Sequence, residues 1–241
     1  MSSPSEKLDL LSSRSDRCRV HCSEPWLHVV LPGDYQCLSF APHRGGLVGA
    51  SQVSWLAVTS EDLKPPLDPL EVYRAKGRSA DVPLAMTVGL MTSADITNYQ
   101  HVMKEERGLK VEAIVTVGLG NALRVGDPVG VVGRIRKAPN YGTINIALVA
   151  HVGLSVNAML ELSTIAAEAR TVAMLDAGVL SRMSGEPASG TGTDCIAVLG
   201  SNLQGCDYAG KHTALGALAG EAALEATSQG INMWLEKWGE P

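Results

Sequence analysis

Four short segments of this 241-residue chain set hydroxyl, amide, carboxyl or imidazole side chains beside glycines, a pairing that a plain hydrophobic core does not require. Gly-Leu-Gly-Asn-Ala carries Asn121, and Tyr-Gly-Thr-Ile-Asn carries Thr143 and Asn145. Ser-Gly-Thr-Gly-Thr-Asp carries Thr191, Thr193 and Asp194, and Tyr-Ala-Gly-Lys-His-Thr carries Lys211, His212 and Thr213. A hydroxyl can attack a carbonyl, a carboxamide can donate to the oxyanion that forms, and a carboxylate or imidazole can manage the proton. Together these groups suit acyl transfer. Metal-activated water is not expected, because there is no H-E-x-x-H and no histidine pair at helical spacing. Cys18 and Cys22 flank His21, but no second Cys/His pair completes a tetrahedral set. Neither a metal nor a cofactor is expected.

Each residue also has a plainer reading. Thr143 is a β-branched residue opening a strand behind a turn glycine. Asp194 can cap the turn into its own strand. His212 and Lys211 stand at a helix start, where exposed N–H groups favour anions. Glu168 is read as a structural ion-pair partner of Arg170 or Lys211, since a buried charge must be paired. Ser39, Gly45 and Gly46 lie on an early strand and turn, where the glycines would let a flat ligand approach the backbone.

The elements that must position these groups follow from periodicity. Between Trp26 and Val58 short apolar runs are broken by turn signals, which predicts two or three strands, with Pro-Gly-Asp-Tyr at residues 32–35 as a turn. Lys64–Pro69 is too rich in proline for a strand or helix interior, and a helical turn is expected just after it. Ala85–Ser93 predicts a strand, followed by a polar helical stretch through Glu106. Leu109–Leu119 predicts another strand. Thr143–Val152 is apolar almost throughout, as in a strand buried on both faces.

Ser155 is expected to cap a long helix whose stripe is Ala158, Leu162, Ile165, Ala169 and Val172, with Gly178 ending it. Thr191–Ser201 predicts a strand reached through a glycine-rich turn, and a second long helix runs from about Gly210 to Leu235. The fold class expected is α+β: layered sheets of mixed or antiparallel strands covered by long helices, with an αββα sandwich among the arrangements that fit. Residues 1–24 read as a polar tail and 25–241 as one domain.

Composition excludes several functions. The net charge is −5 and no Lys/Arg run exceeds two residues, which argues against nucleic acid as a partner. No run of about 18 apolar residues predicts a membrane span. Five cysteines at irregular spacing, without a signal-peptide core, predict reduced thiols and a cytoplasmic location. The small-residue helix from Gly210 could pack against a symmetry mate, so a homo-oligomer is allowed.

The segments also occur in a recognisable order. Leu-Ser-Phe-Ala-Pro-His-Arg-Gly-Gly at 38–46, Val-Thr-Val-Gly-Leu-Gly-Asn-Ala, Ala-Pro-Asn-Tyr-Gly-Thr-Ile-Asn-Ile-Ala-Leu-Val, Glu-Ala-Arg-Thr-Val-Ala-Met-Leu at 168–175, Thr-Gly-Thr-Asp and Gly-Lys-His-Thr follow one another with fitting spacing. In this the chain resembles the adenosylcobinamide amidohydrolases from about Trp26 to Thr227. It departs at Arg170, where lysine is usual, and at Ser189–Gly190, where alanine-threonine is typical.

The resemblance implies hydrolysis of the amide joining aminopropanol to a corrin propionate, giving adenosylcobyric acid for cobalamin assembly. The partner it implies is a corrinoid substrate, whose cobalt is not a cofactor. A more remote likeness, to self-processing β-peptidyl aminopeptidases, implies that Gly142–Thr143 breaks and that Thr143 becomes an N-terminal nucleophile with its own α-amine as base. On that likeness Asn121 serves the oxyanion, and Thr191 or Thr193 forms a proton relay with Asp194. Two other readings fit the same residues: a self-processing amidase or aminopeptidase acting on another small amide, and a non-catalytic corrinoid-binding protein.

Overall fold

The computed structural model describes residues 17–129, 142–203 and 205–239. Its centre is one mixed sheet of eight strands. They are β1 (Arg19–Ser23), β2 (Trp26–Ser39), β3 (Gly46–Ala57), β4 (Thr87–Thr92), β5 (Gln100–Glu106), β6 (Leu109–Val117), β8 (Ile144–Ala150) and β11 (Cys195–Ser201). Short strands β7 (Ala122–Leu123) and β10 (Gly190–Thr191) pair with each other, as do β9 (Gly153–Leu154) and β12 (Gly205–Cys206). The helices are α1 (Pro69–Ser79), α2 (Val156–Asp176) and α3 (Ala214–Trp238).

The sheet order is β4-β3-β2-β11-β8-β6-β5, with β1 on the first half of β2. Most neighbours run antiparallel, while β8 and β11, like β3 and β4, run parallel. The first half of β2 lies between β1 and β3, and its second half between β11 and β3. The halves meet where register jumps between Val30 and Tyr35. Five steps along β2 there match two along β3, from Gln52 to Ala50. The extra residues include Pro32, which cannot donate to a ladder and is tolerated only at such an irregularity.

Residues 32–35 were expected to reverse the chain. They bend one strand instead, because ladder partners on both sides hold its two halves in one direction. The bend folds β1, the start of β2, the end of β3 and β4 over the remaining strands. Leu27, Val29, Val53, Trp55, Val88 and Leu90 thereby pack against Ile114, Ala147, Val149, Ala197 and Leu199.

The opposite face of β6, β8 and β11 is formed by the alternate residues. Val111, Ala113 and Val115, with Ile144, Ile146, Leu148, Ile196 and Val198, bury there against α2 and α3. Every residue of β8 is buried, as its continuous apolar run requires. Ser155 caps α2 by accepting the Ala158 N–H, and Thr213 caps α3 through the Gly216 N–H. Ala158, Leu162, Ile165 and Ala169 line the buried side of α2 as expected, but Val172 is exposed; Ala173 takes the place at the next step. The outer layer is closed by α1, whose Tyr73 packs on Trp26 and Leu56. Large side chains withdrawn from water in these three clusters contribute about 1.5–3 kcal/mol each.

Two further expectations change. Residues 100–106 are a strand, because the Arg107–Gly108 turn, with φ of 51° and 79°, returns β5 as a hairpin onto β6. Arg19–Ser23, read as part of a polar tail, pair with β2 across Glu24–Pro25. No helix among the described residues is long and apolar enough to cross a membrane.

Candidate active site

The parallel ladder of β8 and β11 sets Asn145 opposite Cys195. The residues just before the two strands therefore fall side by side: Thr143 by Thr193, and Ile144 by Asp194. Thr143 is buried, and its Oγ1 donates to the Thr193 carbonyl at 2.8 Å and lies 3.2 Å from Asn145 Oδ1. The Ile144 N–H donates to Asp194 Oδ1 at 2.8 Å. A third loop is drawn in by the β7–β10 pairing, which sets Thr191 opposite Ala122 and brings Asn121 alongside.

Asn121, Gly142, Thr143 and Thr193 line one cleft of about 450 Å³, together with Pro42, Val58, Leu63 and Met91. Asn121 Oδ1 is buried and has no hydrogen-bond partner among the described residues. Gly142 sits where only glycine fits, since a Cβ there would stand 2.3 Å from the Gly118 carbonyl oxygen. Its own carbonyl accepts from Thr193 Oγ1 at 3.3 Å. Tyr141, the first residue of the Tyr-Gly-Thr motif, lies outside the described residues.

Asp194 is nearly enclosed. Besides Ile144, it accepts the Thr191 N–H at 2.8 Å and the Thr191 hydroxyl at 2.5 Å, and Arg170 Nη1 lies 3.1 Å away. Burial pushes its carboxyl above the ordinary aspartate value, while Arg170 and the hydrogen-bond donors pull the other way. The hydroxyl relay expected behind Thr143 does not close in this geometry. Thr191 reaches Asp194 and Thr193 reaches Gly142, but the Thr143 hydroxyl ends on the backbone of Thr193. Asp194 instead grips the peptide following Thr143.

The other candidates separate by position. Asn145 is fully buried behind Thr143 and donates to the Met91 carbonyl at 2.9 Å, so it holds the site from inside. Ser39 is buried at the end of β2 opposite Ala197 and does not line the cleft. Gly45 and Gly46 do not line it either. A Cβ on Gly45 would meet the Ala41 oxygen at 2.6 Å, and Gly46 has a φ of 86°, so the turn itself demands both.

Lys211, His212 and Thr213 also stay outside the cleft lining. Lys211 pairs with Glu168 on the surface at 2.6 Å, His212 is exposed, and Thr213 caps α3. The part of α3 that meets the strand end leading to Gly118 is Gly230, packed on Val117. It lies sixteen residues past Ala214, or about 24 Å of helix.

Arg170 is a neighbour of the candidate site that the sequence reading placed elsewhere. Glu168 and Arg170 are two apart on a helix and so point different ways. Lys211 satisfies Glu168, which leaves Arg170 for Asp194. That two-residue offset was a signal available in the sequence. Thr59, Ser60, Thr92 and Ser93 also line the cleft, and no local pattern in the sequence marks them.

A buried hydroxyl at a cleft, an unpartnered carboxamide beside it and a carboxylate anchoring the following peptide are groups of the kind that acyl transfer uses. The family model for adenosylcobinamide amidohydrolase matches residues 11–238, and the chain belongs to that amidohydrolase family. It is also 30% identical over 156 residues to an uncharacterized protein of Methanocaldococcus jannaschii, an alignment covering 59% of this chain and 61% of that protein.

Proposed function

We propose that this chain hydrolyses the amide between aminopropanol and the corrin propionate of adenosylcobinamide, releasing adenosylcobyric acid, and that Thr143 is the nucleophile. Family membership supports the substrate. The observation that carries the choice of Thr143 is the pair of oxygens around its hydroxyl: the Thr193 carbonyl at 2.8 Å and Asn145 Oδ1 at 3.2 Å. Both are amide oxygens, which orient the hydroxyl but cannot take its proton. A base has to come from elsewhere, and cleavage of Gly142–Thr143 supplies one in the α-amine of Thr143.

In the processing step Thr143 Oγ1 attacks the Gly142 carbonyl carbon, polarised by Thr193 Oγ1–H, and the hydroxyl proton passes to the Thr143 nitrogen as the C–N bond breaks, leaving an ester and the free α-amine. Water hydrolyses the ester to a Gly142 carboxylate and the Thr143 hydroxyl, beside the amine already freed. An α-amine has an unperturbed pKa of about 8, so near neutral pH an appreciable fraction is free to accept a proton. The amine then takes the Oγ1 proton as Oγ1 attacks the substrate amide, and Asn121 donates to the oxyanion. Aminopropanol leaves with that proton, and water releases the new carboxylate.

The volume of about 450 Å³ accommodates the amide arm, and the apolar residues Pro42, Leu63 and Met91 suit the edge of the macrocycle. The stretch from Cys18 to Trp238 acts as one amidohydrolase domain in this reading, since β1 and the strands after it share one sheet and the helix ending at Trp238 packs on it.

The test is mass spectrometry of purified protein and of its product from adenosylcobinamide. A product carrying a new carboxylate, with free aminopropanol, supports hydrolysis; a visible-spectrum shift without products would leave only a corrinoid-binding protein. Turnover of short β-peptides without turnover of adenosylcobinamide would assign another amidase. Fragments ending at Gly142 and beginning at Thr143 support processing. A fully active preparation of intact chain would overturn it.

A further inference from the structure

At the end of β6 away from the cleft, a carboxylate is buried between the two layers of the bent sheet. Glu112 precedes Thr116 by four residues, about 13 Å of strand, and Thr116 is the residue opposite Asn145. No part of the Glu112 side chain reaches solvent. Its Oε1 accepts the Cys18 N–H at 2.8 Å and lies 2.7 Å from His151 Nε2, while its Oε2 lies 2.5 Å from His101 Nε2. These groups come from four separate places: the residue before β1, the edge strand β5, β6, and the residue after β8.

Cys18 Sγ, a Glu112 oxygen and a ring nitrogen of His151 lie within 4.8 Å of one another. Ligand atoms that sit about 2.0–2.3 Å from a tetrahedral ion are themselves about 3.3–3.7 Å apart. Closing the three around one ion therefore needs Cys18 Sγ to move in by up to roughly 1 Å and the Glu112–His151 contact, now 2.7 Å, to open by about 0.6 Å. The second nitrogen of His151 is already engaged, with Nδ1 2.7 Å from the Tyr35 hydroxyl. Such an outer contact fixes the ring of a metal-binding histidine and directs Nε2 inward. His101, on the edge strand and the most exposed of the four, falls outside that group of three; it touches Glu112 Oε2 and supplies a path from solvent, and a fourth nitrogen once its ring turns inward.

The chemistry of the set selects the ion. A buried thiol beside a carboxylate gives up its proton only as a divalent cation binds, and the cation then turns two like charges into two favourable contacts. Mixed sulfur, imidazole and carboxylate donors in a closed arrangement match zinc better than magnesium or calcium, which take oxygen alone. We propose that Cys18, Glu112 and His151, completed by His101, form a structural zinc site that fastens the segment leading into β1 to β6 and the end of β8. It stands apart from the cleft and does not depend on the reaction proposed there. Cys22 and His21, the neighbours that suggested a metal in the sequence, take no part in it.

The experiment is titration of the metal-free, corrinoid-free full chain with Co²⁺ and separately with Zn²⁺. One equivalent of Co²⁺ should produce a thiolate-to-cobalt charge-transfer band, Zn²⁺ should displace it, and Zn²⁺ should raise Tm. Cys18→Ala should lose the band, and His101→Ala should weaken uptake at least tenfold. A folded wild-type chain that takes up no stoichiometric metal would overturn the site and leave a buried carboxylate held only by hydrogen bonds. An unchanged band in folded Cys18→Ala would overturn it too. If Cys18→Ala does not fold, the wild-type stoichiometry and the His101→Ala affinity decide between the two outcomes.

Discussion

Asp194 accepts the backbone N–H of Ile144 at 2.8 Å, so an acid fifty residues downstream holds the peptide that joins Thr143 to its strand. The acid is positioned to fix the direction of the Thr143 hydroxyl, which it does not itself touch.

Asp194→Asn should therefore cut turnover at least a hundredfold while the fold persists. The amide presents an N–H₂ where the carboxylate accepted from Thr191 and faced Arg170, so the turn before β11 loses its anchor. Steady-state kinetics with far-UV circular dichroism reads both effects. Turnover near that of the wild type would remove Asp194 from the mechanism.

Arg170 should set the acid limb of the pH profile. Burial raises the Asp194 carboxyl and the Arg170 charge opposes that rise. Arg170→Met removes the opposing charge and should move the acid limb of kcat/KM to higher pH, with Arg170→Lys moving it less. The linkage sign follows: a carboxyl raised on folding costs stability once pH climbs above its unfolded value, fully so above the folded one. The wild-type Tm, less the contribution of other groups, should thus gain at acid pH what Asp194 costs at neutral pH. An acid limb that stays in place in Arg170→Met would show that Asp194 ionisation does not govern the rate.

Gly142→Ala tests the packing of the proposed scissile bond. The new Cβ would overlap the Gly118 carbonyl, a backbone contact that cannot rotate away. A destabilisation of about 1–3 kcal/mol is expected, together with loss of the two fragments on denaturing electrophoresis. Normal processing and unchanged Tm would mean that the Gly118–Gly142 contact is dispensable.

Lys211→Ala and His212→Ala should each keep turnover within about twofold. The Lys211–Glu168 pair is exposed on both sides, and such pairs contribute about 0–1 kcal/mol. A tenfold loss of kcat in either variant would bring the start of α3 back into the reaction.

The chain itself determined its local structure and the inventory of its candidate site. Ser155 and Thr213 announce two helices, the apolar run from Ile144 announces a strand buried on both faces, and the glycine-flanked polar residues announce Asn121, Thr143 and Asp194. Those signals are local, arising from side-chain period and capping hydrogen bonds within a few residues. Tertiary structure decided which of them meet. The parallel register of β8 and β11 joins Thr143 to Thr193 and Ile144 to Asp194, and it leaves His212 on the surface. The bend in β2 depends on ladder partners from β11, far along the chain, so a local Pro-Gly-Asp signal reads as a turn. Cys18, His101, Glu112 and His151 show no common spacing, because cross-strand pairing, unlike helical period, leaves no trace in the distance between residues along a sequence.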